Sequence, residues 1–418
     1  IAFCTTAGAT GEDSRLAWFR DAKLGIFIHW GIYAVDGVDE SWAFYNGKVP
    51  YSEYMDQLEG FTGEHYDPFA WASLIKRSGA RYAVLTAKHH DGVSLWRTPD
   101  KHFNVVDHTP FGKEALTAYC QALRRVGLKV GLYSSLIDGS HHDYPHFTRE
   151  EKRYEDDPAR WNRFRDFMHR QIADLNQRFR PDLVWFDGDW EFSAEQWDAP
   201  GIRAQLLATN PDVIINSRLQ GYGDYGTPEQ GVPITRPETE YWELCLTMND
   251  NWGFQPQDTN YKSVNQVIRI LVECLNMGGN LLLDIGPQAD GTICPEQVAI
   301  LEGLGRWTAK HAEAIYGTRQ GIPAGHFHGP SALSPDGTTL YLFLDHVPTG
   351  PVMLKGLKNA IKSIEVVGTN QRLDWDIKMK LSWSDKPGIV YIPLPRGLCD
   401  PEVTVLALEL EGPIDLFR

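Results

Sequence analysis

The sequence predicts an α/β fold: a (β/α)8-like (TIM-type) barrel followed by a small antiparallel β-sandwich. Three observations carry that prediction. From about Ser14 to Tyr316, short apolar runs alternate with amphipathic helical stretches, the pattern of repeated βα units. Past Tyr316 the texture changes to short β-branched and aromatic runs with no helices between them. The length, 418 residues, suits one barrel-sized domain plus something smaller. The division is expected near residue 320, giving a catalytic barrel over 1–320 and a β-sandwich over 321–418.

In order along the chain, the barrel strands are expected at Gly25–His29, Tyr82–Thr86, Lys129–Tyr133, Asp182–Phe186, Val213–Asn216 and Asn280–Ile285. The helices between them carry readable ends. Asp67 can cap a helix whose first residue, Pro68, has no N–H to leave unsatisfied, and Gly79 stops it. Asp157 and Pro158 open a longer helix in which Trp161, Phe164, Phe167, Met168, Ile172, Leu175 and Phe179 recur at helical spacing. That stripe reads as core, not as a cofactor site. After Gly/Pro/Ser punctuation around 321–337, strands are expected at Leu340–Leu344, Val352–Leu354, Ile364–Val367, Ile389–Ile392 and Val403–Leu408.

Composition narrows the function. A formal net charge of −15 with no basic run argues against nucleic acid and against anionic membrane surfaces, and favours neutral ligands. Fourteen tryptophans exceed what a core requires, and indoles stack on the apolar faces of sugar rings; a Trp-rich core is the plain alternative. Cys4, Cys120, Cys245, Cys274, Cys294 and Cys399 are scattered without metal-ligand spacing and read as mostly free and buried. No stretch approaches 18 apolar residues, and the first ten residues do not resemble a signal peptide, although a start at Ile1 suggests a processed form. A soluble protein is expected, with a secreted or periplasmic setting slightly favoured over a cytoplasmic one; homo-oligomerisation is left open.

In a barrel the reactive side chains come from the C-terminal ends of the strands and the loops after them. Unusual polar residues fall there five times: His29; Lys88 to Asp91, including His89 and His90; Tyr133; Asp187; and Asn216 with Arg218. Asp187 follows the apolar run Leu183–Phe186, where a carboxylate suffers desolvation unless it is paired or used; Asp189 is the competitor. Glu229, at the end of the loop Gly-Asp-Tyr-Gly-Thr-Pro-Glu, is the second carboxylate, with Asp224, Glu238, Glu240 and Glu243 competing. If Asp187 and Glu229 line one pocket, they form a nucleophile and a proton donor suited to a glycosidic bond.

The remaining residues have plainer readings. His29 is a core histidine or a ligand contact, and Trp185 a pocket wall or core. His89 and His90 invite a metal, but neighbouring strand residues point to opposite faces, so hydrogen bonding to hydroxyl groups is favoured and neither metal nor cofactor is expected.

Several motifs together resemble glycoside hydrolase family 29, the α-L-fucosidases: GIFIHWG at Gly25–Gly31, AKHHDG at Ala87–Gly92, LVWFDG at Leu183–Gly188, WELC at Trp242–Cys245 with Asn251–Phe254, and Gly278–Asp290 ending in IGPQAD. The resemblance spans roughly Leu16 to Thr318 and extends to the C-terminal β-domain. It implies a retaining exo-α-L-fucosidase acting on fucosylated oligosaccharides or glycoconjugates through a covalent fucosyl-enzyme. Asp187 would be the nucleophile, and His29, His89, His90, Tyr133, Trp185 and Arg218 would contact fucose.

The family's Glu-Trp pair is matched by Glu40 and Trp42, with Ser41 inserted between them. Placement before WELC favours Glu229 as acid/base, with Glu243 the runner-up. For a retaining enzyme the two carboxyl groups should lie about 5–5.5 Å apart. Phe27, Trp185 and Trp252 are candidates for an apolar patch at the sugar's methyl group. A non-catalytic or transglycosylating sugar-binding barrel is the alternative, and a metal-dependent hydrolase would be dismissed by activity that survives a chelator.

Overall fold

The computed structural model describes residues 14–417; Cys4 lies outside them. Seven parallel strands form a curled sheet: β1 (Leu24–Ile28), β2 (Tyr82–Lys88), β3 (Lys129–Ser135), β4 (Leu183–Asp187), β5 (Ile214–Ile215), β6 (Glu243–Thr247) and β7 (Asn280–Ile285). Their order is β5-β4-β3-β2-β1-β7-β6. The edges are joined by residues 225–229: Tyr225 bridges to Asn216 beyond β5, while Gly226 and Glu229 bridge to Trp242 and Cys245, all in parallel. This segment is the seam that turns the sheet into a TIM-like barrel.

Neither β6 nor the seam was among the expected strands. β6 begins with a charged residue, Glu243, that no apolar run announces, and the seam holds Gly226 and Pro228, which strands disfavour. The six expected strands are all present.

Among the described residues, the helices of ten or more residues pack outside: α1 (Pro68–Arg77), α2 (Ala115–Arg125), α3 (Pro158–Phe179), α4 (Ala199–Thr209), α5 (Val264–Asn276) and α6 (Pro295–Lys310). The predicted caps form. An Asp67 oxygen accepts from the Phe69 and Ala70 N–H groups, and Asp157 accepts from Arg160 N–H. The α3 stripe is buried from Phe164 to Phe179, with Trp161 half-buried against the same cluster.

Inside the barrel, Phe27, Tyr82, Tyr133, Trp185, Tyr225 and Cys245 fill the space between the strands. A side chain at Gly25 would start 2.4 Å from the Tyr82 ring, so glycine there is what admits that ring to the interior.

The C-terminal part is two antiparallel sheets. One runs Gln371–Arg372, Ile361–Val366, Thr404–Leu410, Thr339–Leu344, Ser331–Leu333, Arg319–Gln320; the other runs Val352–Lys355, Ile389–Ile392, Asp376–Lys378. The five expected strands are here. Four short ones escaped prediction, three of them edge strands with few apolar residues: Arg319–Gln320, Gln371–Arg372 and Asp376–Lys378. The indole N–H of Trp307 on α6 donates to the Val403 carbonyl (2.9 Å), tying the sheets to the barrel.

Among the described residues no helix is long and apolar enough to cross a membrane. The five described cysteines are free thiols, four buried and Cys399 half-buried.

Candidate active site

The C-terminal strand ends open into a cavity of about 130 Å³. Its wall includes Phe27, His29, Trp42, His89, Tyr133, Trp185, Asp187, Arg218, Glu229 and Trp252, so ten of the residues singled out from the sequence converge there.

Asp187 is the last residue of β4 and is buried. Oδ1 accepts from Arg218 Nη1 (2.8 Å) and Oδ2 from the Tyr133 hydroxyl (3.0 Å), while His90 Nε2 stands 3.4 Å from Oδ2. Burial pushes this carboxyl up, but the approach of His90 and the charge of Arg218 outweigh it and hold the group well below the usual carboxylate range. It is an anion waiting in a pocket. Burial and the Asp187 charge push the Tyr133 phenol far up, so Tyr133 remains a donor.

Arg218 reaches further. Its Nη2 donates to Glu229 Oε2 (2.5 Å), and its guanidinium lies 4.6 Å from the centre of the Trp185 ring. Glu229 stands at the mouth on the barrel seam, with its side chain 40% exposed. The competing carboxylates are engaged elsewhere or face solvent. Asp189 accepts from Gln220 N–H (2.8 Å), Asp224 binds Arg203 and the Ile215 N–H, and Glu238 and Glu240 are on the surface.

Glu243 is enclosed beneath the pocket. Its oxygens accept from the Tyr82 hydroxyl (2.6 Å) and the Trp185 indole N–H (2.8 Å), and burial pushes it up to about 7. It supports the floor and does not line the cavity.

The histidines are each held through Nδ1. His29 shares a 2.7 Å bond with buried Asp284, His89 a 3.0 Å bond with Ser41, and His90 a 2.5 Å bond with Ser135. Ser135 donates its own proton to the Ile137 carbonyl (2.9 Å), so it accepts from His90 Nδ1–H. Burial pushes His29 down to about 3 and His89 well below its usual range, so both present neutral rings, each with one donor and one acceptor nitrogen.

The opposite-face argument for His89 and His90 does not hold. β2 ends at Lys88 with a register irregularity after Thr86, and both rings turn to the site, 4.5 Å apart. Groups of metal-ligand type among the described residues lie elsewhere, at His141–His142–Asp143 and at Glu64, His65 and Asp290.

Aromatic rings make the rest of the wall. His89 lies parallel to Tyr133 (5.5 Å), which lies near-parallel to Trp185 (5.6 Å); Phe27 packs 5.0 Å from Trp185 and 6.0 Å from Trp252. Glu40 is not in the wall. It is buried behind it, accepting from the Gly253 N–H (2.5 Å) next to Trp252, and burial pushes it up to about 7.

Sequence reasoning missed the supports Asp284, Ser41 and Ser135, and the wall residues Trp190 and Cys245. Asp284 carried the same signal as Asp187, a carboxylate closing an apolar run. The others carried none.

A sequence-family profile described as Alpha-L-fucosidase matches residues 5–313. Tissue alpha-L-fucosidase of Bos taurus is 28% identical over 96% of this chain and 90% of its own length, and an alpha-L-fucosidase of Branchiostoma floridae is 31% identical over 72% of each. Among solved structures, alpha-L-fucosidase isoenzyme 1 from Paenibacillus thiaminolyticus superposes with a TM-score of 0.88 at 32% identity, covering 96% of this chain and 99% of that one. A family 29 alpha-L-fucosidase of Bacteroides thetaiotaomicron, trapped as a covalent intermediate in complex with 2-fluoro-fucosyl fluoride, superposes at 0.84 with 26% identity, covering 98% and 100%. With its barrel, its converging strand-end residues and a profile match over most of its length, the chain belongs to the alpha-L-fucosidase family, glycoside hydrolase family 29.

Proposed function

We propose that the protein is a retaining exo-α-L-fucosidase that removes terminal α-L-fucose from fucosylated oligosaccharides or glycoconjugates by double displacement. The observation that carries this reading is one guanidinium, that of Arg218, bonded to both Asp187 and Glu229 in the wall of a single cavity. Asp187 attacks the anomeric carbon while Glu229 protonates the departing oxygen, giving a β-linked fucosyl ester on Asp187. Glu229 then takes a proton from water, which attacks the same carbon and releases α-L-fucose.

Tyr133, freed from Asp187 charge as the ester forms, and the neutral His29 and His89 are suited to hold the ring hydroxyls. Phe27, Trp185 and Trp252 form an apolar patch of the kind that the 6-methyl group requires. A non-catalytic barrel would have no use for a buried carboxylate kept ionised at the end of β4.

The test is hydrolysis of an aryl α-L-fucoside and the matching galactoside by wild type, Asp187→Ala and Glu229→Ala. Cleavage of the fucoside is expected, with activity lost in Asp187→Ala and partly rescued by azide as the inverted β-fucosyl azide. A retained-configuration azide product from Asp187→Ala overturns the nucleophile assignment. Full activity of Glu229→Ala on a substrate with a poor leaving group overturns the acid/base assignment.

A further inference from the structure

Next to Asp187 the barrel presents an aromatic side chain that the two chemical steps above do not use. Trp190 follows β4 in the short turn Asp189–Glu191, lines the same cavity as Asp187 and Glu229, and is 50% exposed. Among the described residues of the barrel, no other tryptophan is so exposed; the remaining exposed one, Trp383, is in the loop between the strands Asp376–Lys378 and Ile389–Ile392. Leaving so large an apolar ring half in water forgoes the stabilisation that burial would bring. What sets this ring apart from a singly exposed surface residue is its place in the wall of the cavity that holds Asp187 and Glu229.

The turn beneath it is fixed. The Asp189 carbonyl accepts from the Trp197 indole N–H (2.9 Å) and the Gln220 amide (2.6 Å), its carboxylate accepts from the Gln220 N–H, and Glu191 bonds His146. Gly188, at φ +86°, sets the chain direction, and a side chain there would start 2.6 Å from Ile137. The indole therefore projects outward from a rigid base. It lies near-parallel to Trp42 (6.3 Å, 18°) and edge-on to His90 (5.9 Å), so its ring extends the aromatic wall from the inner pocket to the mouth.

We infer that Trp190, continued inward by Trp42, is the platform for the leaving part of the substrate and that its occupant is a pyranose residue, whose C–H face stacks on the indole. This rests on the reading of the inner pocket as the site of the cleaved sugar. The group on the far side of the broken bond must leave through the mouth, where Glu229 delivers its proton, and Trp190 is the apolar surface there. A sugar ring suits it because one face carries mostly C–H bonds while the hydroxyls at its rim stay in water.

Two substrates separate the platform from the inner pocket: a fucosyl-galactose disaccharide, and α-L-fucosyl fluoride, whose leaving group is one atom. In Trp190→Ala the ratio of kcat/KM for the disaccharide to kcat/KM for the fluoride is expected to fall at least tenfold, with Trp190→Phe recovering part of it. An unchanged ratio overturns the inference, whether both rates fall together or neither does. Saturation-transfer NMR with the disaccharide's leaving sugar alone reads the platform without catalysis. Contacts confined to the C–H protons of one face, and lost in Trp190→Ala, are expected; their absence in the wild type also overturns it. Failure of the wild type to cleave the fluoride counts against the fucosidase reading, while the NMR result still decides on the platform.

Discussion

Arg218 bridges Asp187 and Glu229, with Nη1 2.8 Å from one carboxylate and Nη2 2.5 Å from the other. Two strand ends that are not neighbours, β4 and the seam, are thereby fixed relative to each other by one rigid planar group. Lysine could not do the same, because its single ammonium lacks the fork.

Replacing Arg218 by Gln is expected to lower kcat/KM by about 10²–10³, the effect of removing one preorganised charge-stabilising donor. The sign of the accompanying pH effect is fixed. The Asp187 carboxyl is held low partly by this cation, so losing it raises the pKa and moves the acid limb of the kcat/KM profile to higher pH. An acid limb that stays in place would mean that other groups hold Asp187 down.

Ser135→Ala removes the partner of His90 Nδ1 without touching the pocket wall. A buried donor left unmade costs about 1–3 kcal/mol, and a ring free to turn no longer presents Nε2 to Asp187. The expectation is a loss of about tenfold in kcat/KM, larger than that for Ser135→Thr, which keeps the hydroxyl.

Glu243→Gln tests the floor. The folded Glu243 is pushed up to about 7 from 4.5, so the folded state binds more protons than the unfolded state between those values. Its contribution to stability is therefore present below pH 4.5 and lost as pH rises through 7. Relative to wild type, Glu243→Gln should gain stability between pH 4.5 and 8, on the order of 3 kcal/mol at about 1.4 kcal/mol per pH unit. Denaturant unfolding of both proteins at pH 5 and pH 8 measures it. The comparison is needed because buried His29 and His89 act in the opposite direction in wild type.

Gly92→Ala should damage both stability and activity. Gly92 has φ +82°, and a Cβ there would lie 2.0 Å from Oδ1 of Asp138, whose Oδ2 is paired with buried Lys88 (3.3 Å). A loss of about 2–4 kcal/mol in denaturant unfolding is expected, together with reduced kcat/KM as the turn carrying His89 and His90 shifts. Gly127→Ala is the control: it shares a positive φ, with nothing within 4 Å of the added atom.

What could be read from the sequence was whatever local chemistry advertises. The apolar runs ending in His29, Tyr133 and Asp187 revealed strands and pocket at once, because a polar group there needs a reason. The Asp-Pro starts of α1 and α3 were legible because capping is local. β6 was not, since Glu243 gains its reason only from Tyr82 and Trp185, which are remote in sequence. The alternation rule for His89 and His90 failed because it applies to strand residues, and both lie beyond β2. Trp190 shows the limit most plainly: exposure is a property of the assembled surface, and nothing in the residues around it announces it.

The seam at 225–229 has a consequence for motion. Tyr225, Gly226 and Glu229 are joined to their neighbours by isolated bridges where the other staves have ladders, so local opening of the barrel should begin there, and amide exchange should be fastest in that stave. Asp187 stands on a stave held by ladders on both sides, and Glu229 on the stave held by isolated bridges. If that stave opens as expected, the separation of the two carboxylates varies with it, and the two Arg218 bonds are the contacts that would narrow the variation.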